Sequence, residues 1–80
     1  MMNCEEIVGA VVGVDAAQLN DSSGRDNMME WDSLAHINLI AAVEETYRVT
    51  FTIEEIQHIQ TIGDLKAVLK HKDVHLATKV

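Results

Sequence analysis

Three times in 80 residues a short polar residue is followed, three positions later, by an acid and then by an apolar run. Asn3 with Glu6, Thr52 with Glu55 and Thr61 with Asp64 each have the form of a capping box, in which the first side chain accepts from a free N–H of the opening turn. Three such helix starts leave a chain of this size little room for anything but helices. Behind Asn3, Ile7, Val8, Val11 and Val12 share one face, which predicts a first helix over residues 4–13 with Gly13 at its end. Thr52 opens a short helix from Ile53 to Ile59, and Thr61 opens a last one in which Leu65, Val68 and Leu69 stack. The tail from about His71 to Val80 lacks a cap and is expected to fray.

A further helix is predicted in EWDSLAHINLIAAVEETY, residues 30–47, from Asp32 or Ser33 to about Tyr47. Turning 100° per residue from Ser33 places Leu39, Ile40, Val43 and Tyr47 between about 240° and 340°, a core stripe. Leu34, Ile37 and Ala41 fall at about 40° to 100°, interleaved with Glu44, Glu45 and Asn38 at about 20° to 140°. This second apolar strip is either another buried face or a docking strip with an acidic rim. Before the helix, VDAAQLNDSSGRDNMME has no sustained period and reads as a long loop, pinned to the core by Val14, Leu19 and one of Met28 or Met29.

These elements fit one all-α domain spanning residues 1–80, a small bundle of three principal helices plus one short helix. With no proline and only Trp31, Tyr47 and Phe51 as aromatics, its core is expected to be aliphatic. The net charge of −7 is concentrated in residues 1–32, which carry seven acids and one base. Such a body repels phosphate backbones and anionic lipid heads, so neither nucleic acid nor membrane is an expected partner. A lone cysteine, Cys4, cannot form an internal disulfide, and MMNCEEI lacks the basic and apolar segments of a secretory signal. The expected location is the cytoplasm and the expected state a monomer.

Ser33 stands where free N–H groups and the positive end of a helix dipole stabilise an attached anion, although a serine at a helix start is more often an N-cap. His36, one turn on, invites a hydrolase reading, but that chemistry also needs an oriented acid and an oxyanion hole, and a packed imidazole is the simpler account. No metal site is expected. His58, His71 and His75 lack ligand spacing, and Asp15, Asp21 and Asp26 lack the ordered calcium-loop pattern. Cys4, at a helix start where a thiol's pKa can be lowered, reads as incidental.

Asp32-Ser33-Leu34, followed by Leu39-Ile40 and Val43-Glu44-Glu45, resembles the acyl carrier protein family, whose signature is Asp-Ser-Leu at the start of the second helix. Val12-Gly13-Val14-Asp15 is similar to the end of that family's first helix. Tyr47 and Phe51 resemble the residues closing the second, Ile53-Glu54-Glu55-Ile56 the short third, and Thr61-Ile62-Gly63-Asp64-Leu65 the start of the last. The resemblance implies a carrier and not an enzyme. Ser33 would bear a 4′-phosphopantetheine arm from coenzyme A, attached by a phosphopantetheinyl transferase, with Asp32, Leu34 and His36 around it. Acyl- or aminoacyl-loading and downstream biosynthetic enzymes would dock on Leu34, Ile37, Asn38, Ala41, Glu44 and Glu45, and a cargo chain would shelter among Leu39, Val43, Ile59 and Ile62. Fatty-acid carriers place acids where this chain has Ala35 and Asn38. Trp31 and His36 look more like free-standing carriers of specialised lipid, polyketide, peptide or saccharide pathways. The alternative is an unmodified helical adaptor that docks a partner through the same helix.

Overall fold

The computed structural model describes residues 3–72, and four helices account for most of them. They are α1 (Cys4–Val12), α2 (Ser33–Tyr47), α3 (Ile53–His58) and α4 (Ile62–His71), with a single 3-10 turn at Ala16–Gln18 in the long loop. Two capping boxes are complete. Asn3 Oδ1 accepts from Glu6 N at 2.8 Å while Glu6 Oε1 accepts from Asn3 N at 2.9 Å, and Thr52 with Glu55 repeats the exchange at 3.1 and 2.9 Å. The third differs: Thr61 Oγ1 accepts from Asp64 N, but the Asp64 carboxylate reaches one residue further back, to Gln60 N at 3.0 Å. α1 stops at Gly13, whose φ of 79° is the left-handed conformation that glycine adopts without steric cost.

α4 runs through His71, so the fraying expected from that residue starts too early; residues 73–80 lie outside the described part. The short helix likewise ends at His58, with Ile59 as its cap.

The core gathers Ile7 and Val8 from α1, Leu39, Ile40 and Val43 from α2, Ile59, and Ile62, Leu65 and Leu69 from α4. It is less purely aliphatic than composition implies, because Trp31, Tyr47 and Phe51 are all buried in it. Cys4 is buried as well. Desolvation pushes its thiol from an ordinary value near 9 up to about 11, against the lowering effect of a hydrogen bond with Tyr47. Burial therefore outweighs the hydrogen bond, and the thiol is not an activated nucleophile.

The loop before α2 is held largely by hydrogen bonds to the α3–α4 connection and the first turn of α4. Arg25 N donates to Gln60 O, Ile62 N to Ser23 O and Gly63 N to Asp21 O, each at 2.9 Å. Gly24 and Thr61 form an isolated antiparallel bridge, and a Cβ on Gly24 would lie 2.2 Å from Gln60 O, so that contact requires glycine. Leu19 and Met28 pack on the core as the sequence suggests. Val14 is only half-buried and lies outside the core cluster, and Met29 is 94% exposed. The stronger apolar pin is Trp31, which is 1% exposed. Lys66 on α4 adds a polar clasp, at 2.7 Å from Glu5 of α1 and 2.8 Å from Asp21 of the loop. These two carboxylates, Asp21 foremost, hold its ammonium above the usual lysine range. At the other end of the bundle, Lys72 pairs with Glu55 at 2.8 Å and lies over the Phe51 ring.

Candidate functional site at the start of helix two

Asp32 is the N-cap of α2, and its Oδ1 accepts from Ala35 N at 2.9 Å. Ser33 is therefore the first helical residue and not the cap, which removes the commonest structural reason for a serine at this place. Its side chain is exposed, and the hydrogen bond recorded for its Oγ comes from Arg25 Nη2 at 3.5 Å. Around it the start of α2 presents N–H groups and the positive end of the helix dipole, an environment that favours an anion.

A cleft of about 360 Å³ opens beside Ser33, lined by Arg25, His36 and Ile37 on one side and by Ile53, Ile56 and Gln57 of α3 on the other. Its lining combines three isoleucines with the polar Arg25, Ser33, His36 and Gln57. Of the residues around the serine, Leu34 is 71% and Ile37 58% exposed, and Asn38, Ala41 and Glu45 are exposed with them. The second strip is thus an open face and not another buried one. Glu44 departs from the rest of the acidic rim: it is half-buried, and its Oε2 accepts from Phe51 N at 2.9 Å, tying the α2–α3 connection to the helix.

His36 is buried between the loop and α3. Trp31 Nε1 donates to its Nδ1 at 3.0 Å, and its Nε2 lies 2.8 Å from Ile56 O. An indole N–H only donates and a carbonyl only accepts, so the neutral ring with its proton on Nε2 satisfies both contacts. With both nitrogens engaged, His36 does not bond to Ser33, and it acts as a link from Trp31 through α2 to α3. It is also one of the residues that line the cleft.

Leu39, Val43, Ile59 and Ile62 are completely buried, and none of them lines this cleft. The open space beside Ser33 is bounded instead by Arg25, Ile53, Ile56 and Gln57, which sequence reasoning did not single out. Among the described residues, no group of three or more His, Cys, Asp or Glu is placed to hold a metal ion, and no helix is long and apolar enough to cross a membrane.

The family described as phosphopantetheine attachment site matches residues 5–69, the greater part of the sequence and all of α2. The chain belongs to the acyl carrier protein family. An acyl carrier protein of Solidesulfovibrio magneticus is 34% identical over 68 residues, covering 85% of this chain and 87% of that protein. One from Chlamydia caviae is 27% identical over 73 residues, covering 86% of this chain and 95% of its own length. Among solved structures, a holo acyl carrier protein from Nitrosomonas europaea superposes with a TM-score of 0.73 at 34% identity, covering 86% of this chain and 89% of that one. A holo acyl carrier protein from Geobacter metallireducens gives 0.66 at 28% identity, over 91% and 90%. Membership makes this chain a carrier and not a catalyst, and it agrees with an exposed hydroxyl that does not cap the helix.

Proposed function

We propose that Ser33 is the attachment point of 4′-phosphopantetheine and that the exposed strip of α2 presents the loaded carrier to its enzymes. The observation that carries this reading is the division of labour at the helix start: Asp32 supplies the cap, so the Ser33 hydroxyl remains exposed beside a cleft and a guanidinium. The residues present fit the group. An exposed hydroxyl can accept a phosphodiester, the start of the helix favours its charge, and the cleft offers aliphatic walls to the remainder of the arm. When bound, the arm supplies a terminal thiol that holds the cargo as a thioester.

Each of the chain's own residues takes its role from its position. Asp32 orders the turn through its bond to Ala35 N, which keeps its carboxylate committed to the backbone. His36 fixes α3 against α2 through Ile56 O, and so sets the shape of the cleft. Leu34, Ile37, Asn38, Ala41 and Glu45 are the surface a partner reaches; Glu44 contributes with whatever charge its bond to Phe51 N leaves accessible.

Carriers of this family are served by phosphopantetheinyl transferases and by biosynthetic enzymes as a class. For this chain we favour a specialised lipid, polyketide or peptide pathway in the cytoplasm. Ala35 is buried and Asn38 is uncharged, so the surface nearest Ser33 is less negative than a strongly basic partner would select.

The test is the intact mass of wild type and Ser33→Ala after incubation with coenzyme A, Mg²⁺ and a broad-specificity transferase. Gain of the phosphopantetheine mass in the wild type alone is the expected result. Gain in both moves the attachment point elsewhere. Gain in neither folded protein favours the unmodified adaptor, whose partner binding survives Ser33→Ala and is lost in Leu34→Glu.

A further inference from the structure

Arg25 is the one basic residue among the first 32, in a chain of net charge −7. The ion pairs among the described residues are made by Lys66 and Lys72, and none of them involves Arg25, although Asp21, Asp26, Glu30 and Asp32 are its neighbours in sequence. Its Nη2 lies 3.5 Å from Ser33 Oγ. Nor is this placement left to a floppy loop. The Arg25 backbone donates to Gln60 O, and the preceding Gly24 is bridged to Thr61 in a contact too close for any Cβ. Gly24 N also donates to Asn27 Oδ1, and Asn27 Nδ2 donates to Ser22 O, closing the turn from which the side chain leaves.

We propose that Arg25 is a positioning residue that pairs with the phosphodiester on Ser33 and turns the arm toward the cleft between α2 and α3. This rests on the attachment reading above. The free oxygens of a phosphate on Oγ would stand two bonds from the atom that Arg25 Nη2 already approaches to 3.5 Å, a span that rotation of a long guanidinium side chain can cover to form a charge-assisted hydrogen bond. A guanidinium offers paired donors that suit two phosphate oxygens at once, which an ammonium does not. Arg25 and Ser33 line the same cleft, so a phosphodiester held between them directs the pantetheine portion toward Ile37, Ile53 and Ile56 and not into solvent.

The experiment uses loaded wild type, Arg25→Gln and Arg25→Lys, with complete loading verified by intact mass. Two signals are read: the ³¹P resonance of the phosphodiester, and the hydrogen exchange of the Arg25 guanidinium by ¹H–¹⁵N NMR. Loading is expected to slow guanidinium exchange severalfold in the wild type. The ³¹P resonances of wild type and Arg25→Gln should differ, with Arg25→Lys between them. That difference should shrink as ionic strength rises from about 0.01 M to about 1 M, where the screening length falls from about 30 Å to about 3 Å. Equal or faster guanidinium exchange in the loaded wild type overturns the proposal by itself, even if a variant fails to fold or load. Identical ³¹P resonances in loaded wild type and Arg25→Gln at low salt also overturn it, while leaving the carrier reading intact. Failure of the wild type to load overturns both.

Discussion

The two faces of α2 are built from similar residues and have opposite fates. One face puts Ala35, His36, Leu39, Ile40, Val43 and Tyr47 inside the protein. The other leaves Leu34 and Ile37 mostly in solvent, with Asn38, Ala41 and Glu45 beside them. The first face owes its apolar character to packing. The second gains nothing from its own in the isolated chain, since exposed methyl groups stay in contact with water. Apolarity on a helix thus has two distinct uses, and burial in the fold separates them. Around Ser33 the unburied strip is continuous with the cleft through Ile37, and Ile53 of α3, 70% exposed, extends it on the far side.

The largest test of that contrast makes the same chemical change on both faces. Leu39→Ala removes a fully buried side chain and is expected to cost about 2–5 kcal/mol in urea unfolding. Leu34→Ala, five residues earlier on the same helix and 71% exposed, should stay within about 0.5 kcal/mol. Comparable losses at the two positions would show that the exposed strip is structural after all. If the expected difference holds, the destabilised variant should still take up the arm when folded, because Leu39 does not touch the mouth of the cleft.

A second test probes the buried face by pH. Tyr47 ends its stripe against Cys4 of α1; burial pushes the phenol from near 10 up to about 12 and the thiol from near 9 up to about 11. Both groups keep their protons in the folded protein to higher pH than in the unfolded chain. Between pH 9 and 11 the unfolded state therefore binds fewer protons, and stability falls as pH rises. The thiol's two-unit offset corresponds to about 2–3 kcal/mol. Lys66 has the same direction at higher pH, since its raised value gives stability that is present below the unfolded lysine pKa and is lost above it. Urea midpoints should drop steadily above pH 9, and Cys4→Ala should flatten the part of the slope nearest 9. A midpoint constant from pH 8 to 10.5 would contradict the buried Cys4–Tyr47 contact.

Sequence periodicity captures the inner face of α2 well because burial follows the 3.6-residue turn, and helix angle alone places Leu39, Ile40, Val43 and Tyr47 in the core. The starts of α1 and α3 are similarly legible, since a capping box is complete within four residues. What escapes such reading depends on partners far along the chain. Arg25 reaches Ser33 only because its backbone is bound to Gln60, and His36 becomes a link only once α3 brings up Ile56 O. Glu44 reads as part of a docking rim, yet it is partly withdrawn by Phe51 N across the α2–α3 connection. Trp31, set among polar loop residues, shows no period of its own to announce that it is buried. The cleft belongs to the same class. Its α3 wall comes from Ile53, Ile56 and Gln57, and the spacing of residues within α2 cannot indicate which of them face Ser33.

The smallest effect falls where the two faces meet, at adjacent residues of the helix start. Asp32→Ala removes the side chain that satisfies Ala35 N and is expected to cost about 1 kcal/mol. Ser33→Ala removes a hydroxyl that caps nothing and replaces serine with the residue of highest helix propensity, so its stability should lie within about 0.5 kcal/mol of wild type, on either side. The pair separates a position that holds the helix from one that the helix merely displays. A loss of about 1 kcal/mol or more in Ser33→Ala, comparable to a lost cap and measured by urea unfolding of the unloaded protein, would mean that the hydroxyl supports the fold. Its exposure would then no longer set it apart as a residue kept for attachment. Equality with wild type, next to a clear loss at Asp32, means that the serine can be modified without disturbing the turn that presents it.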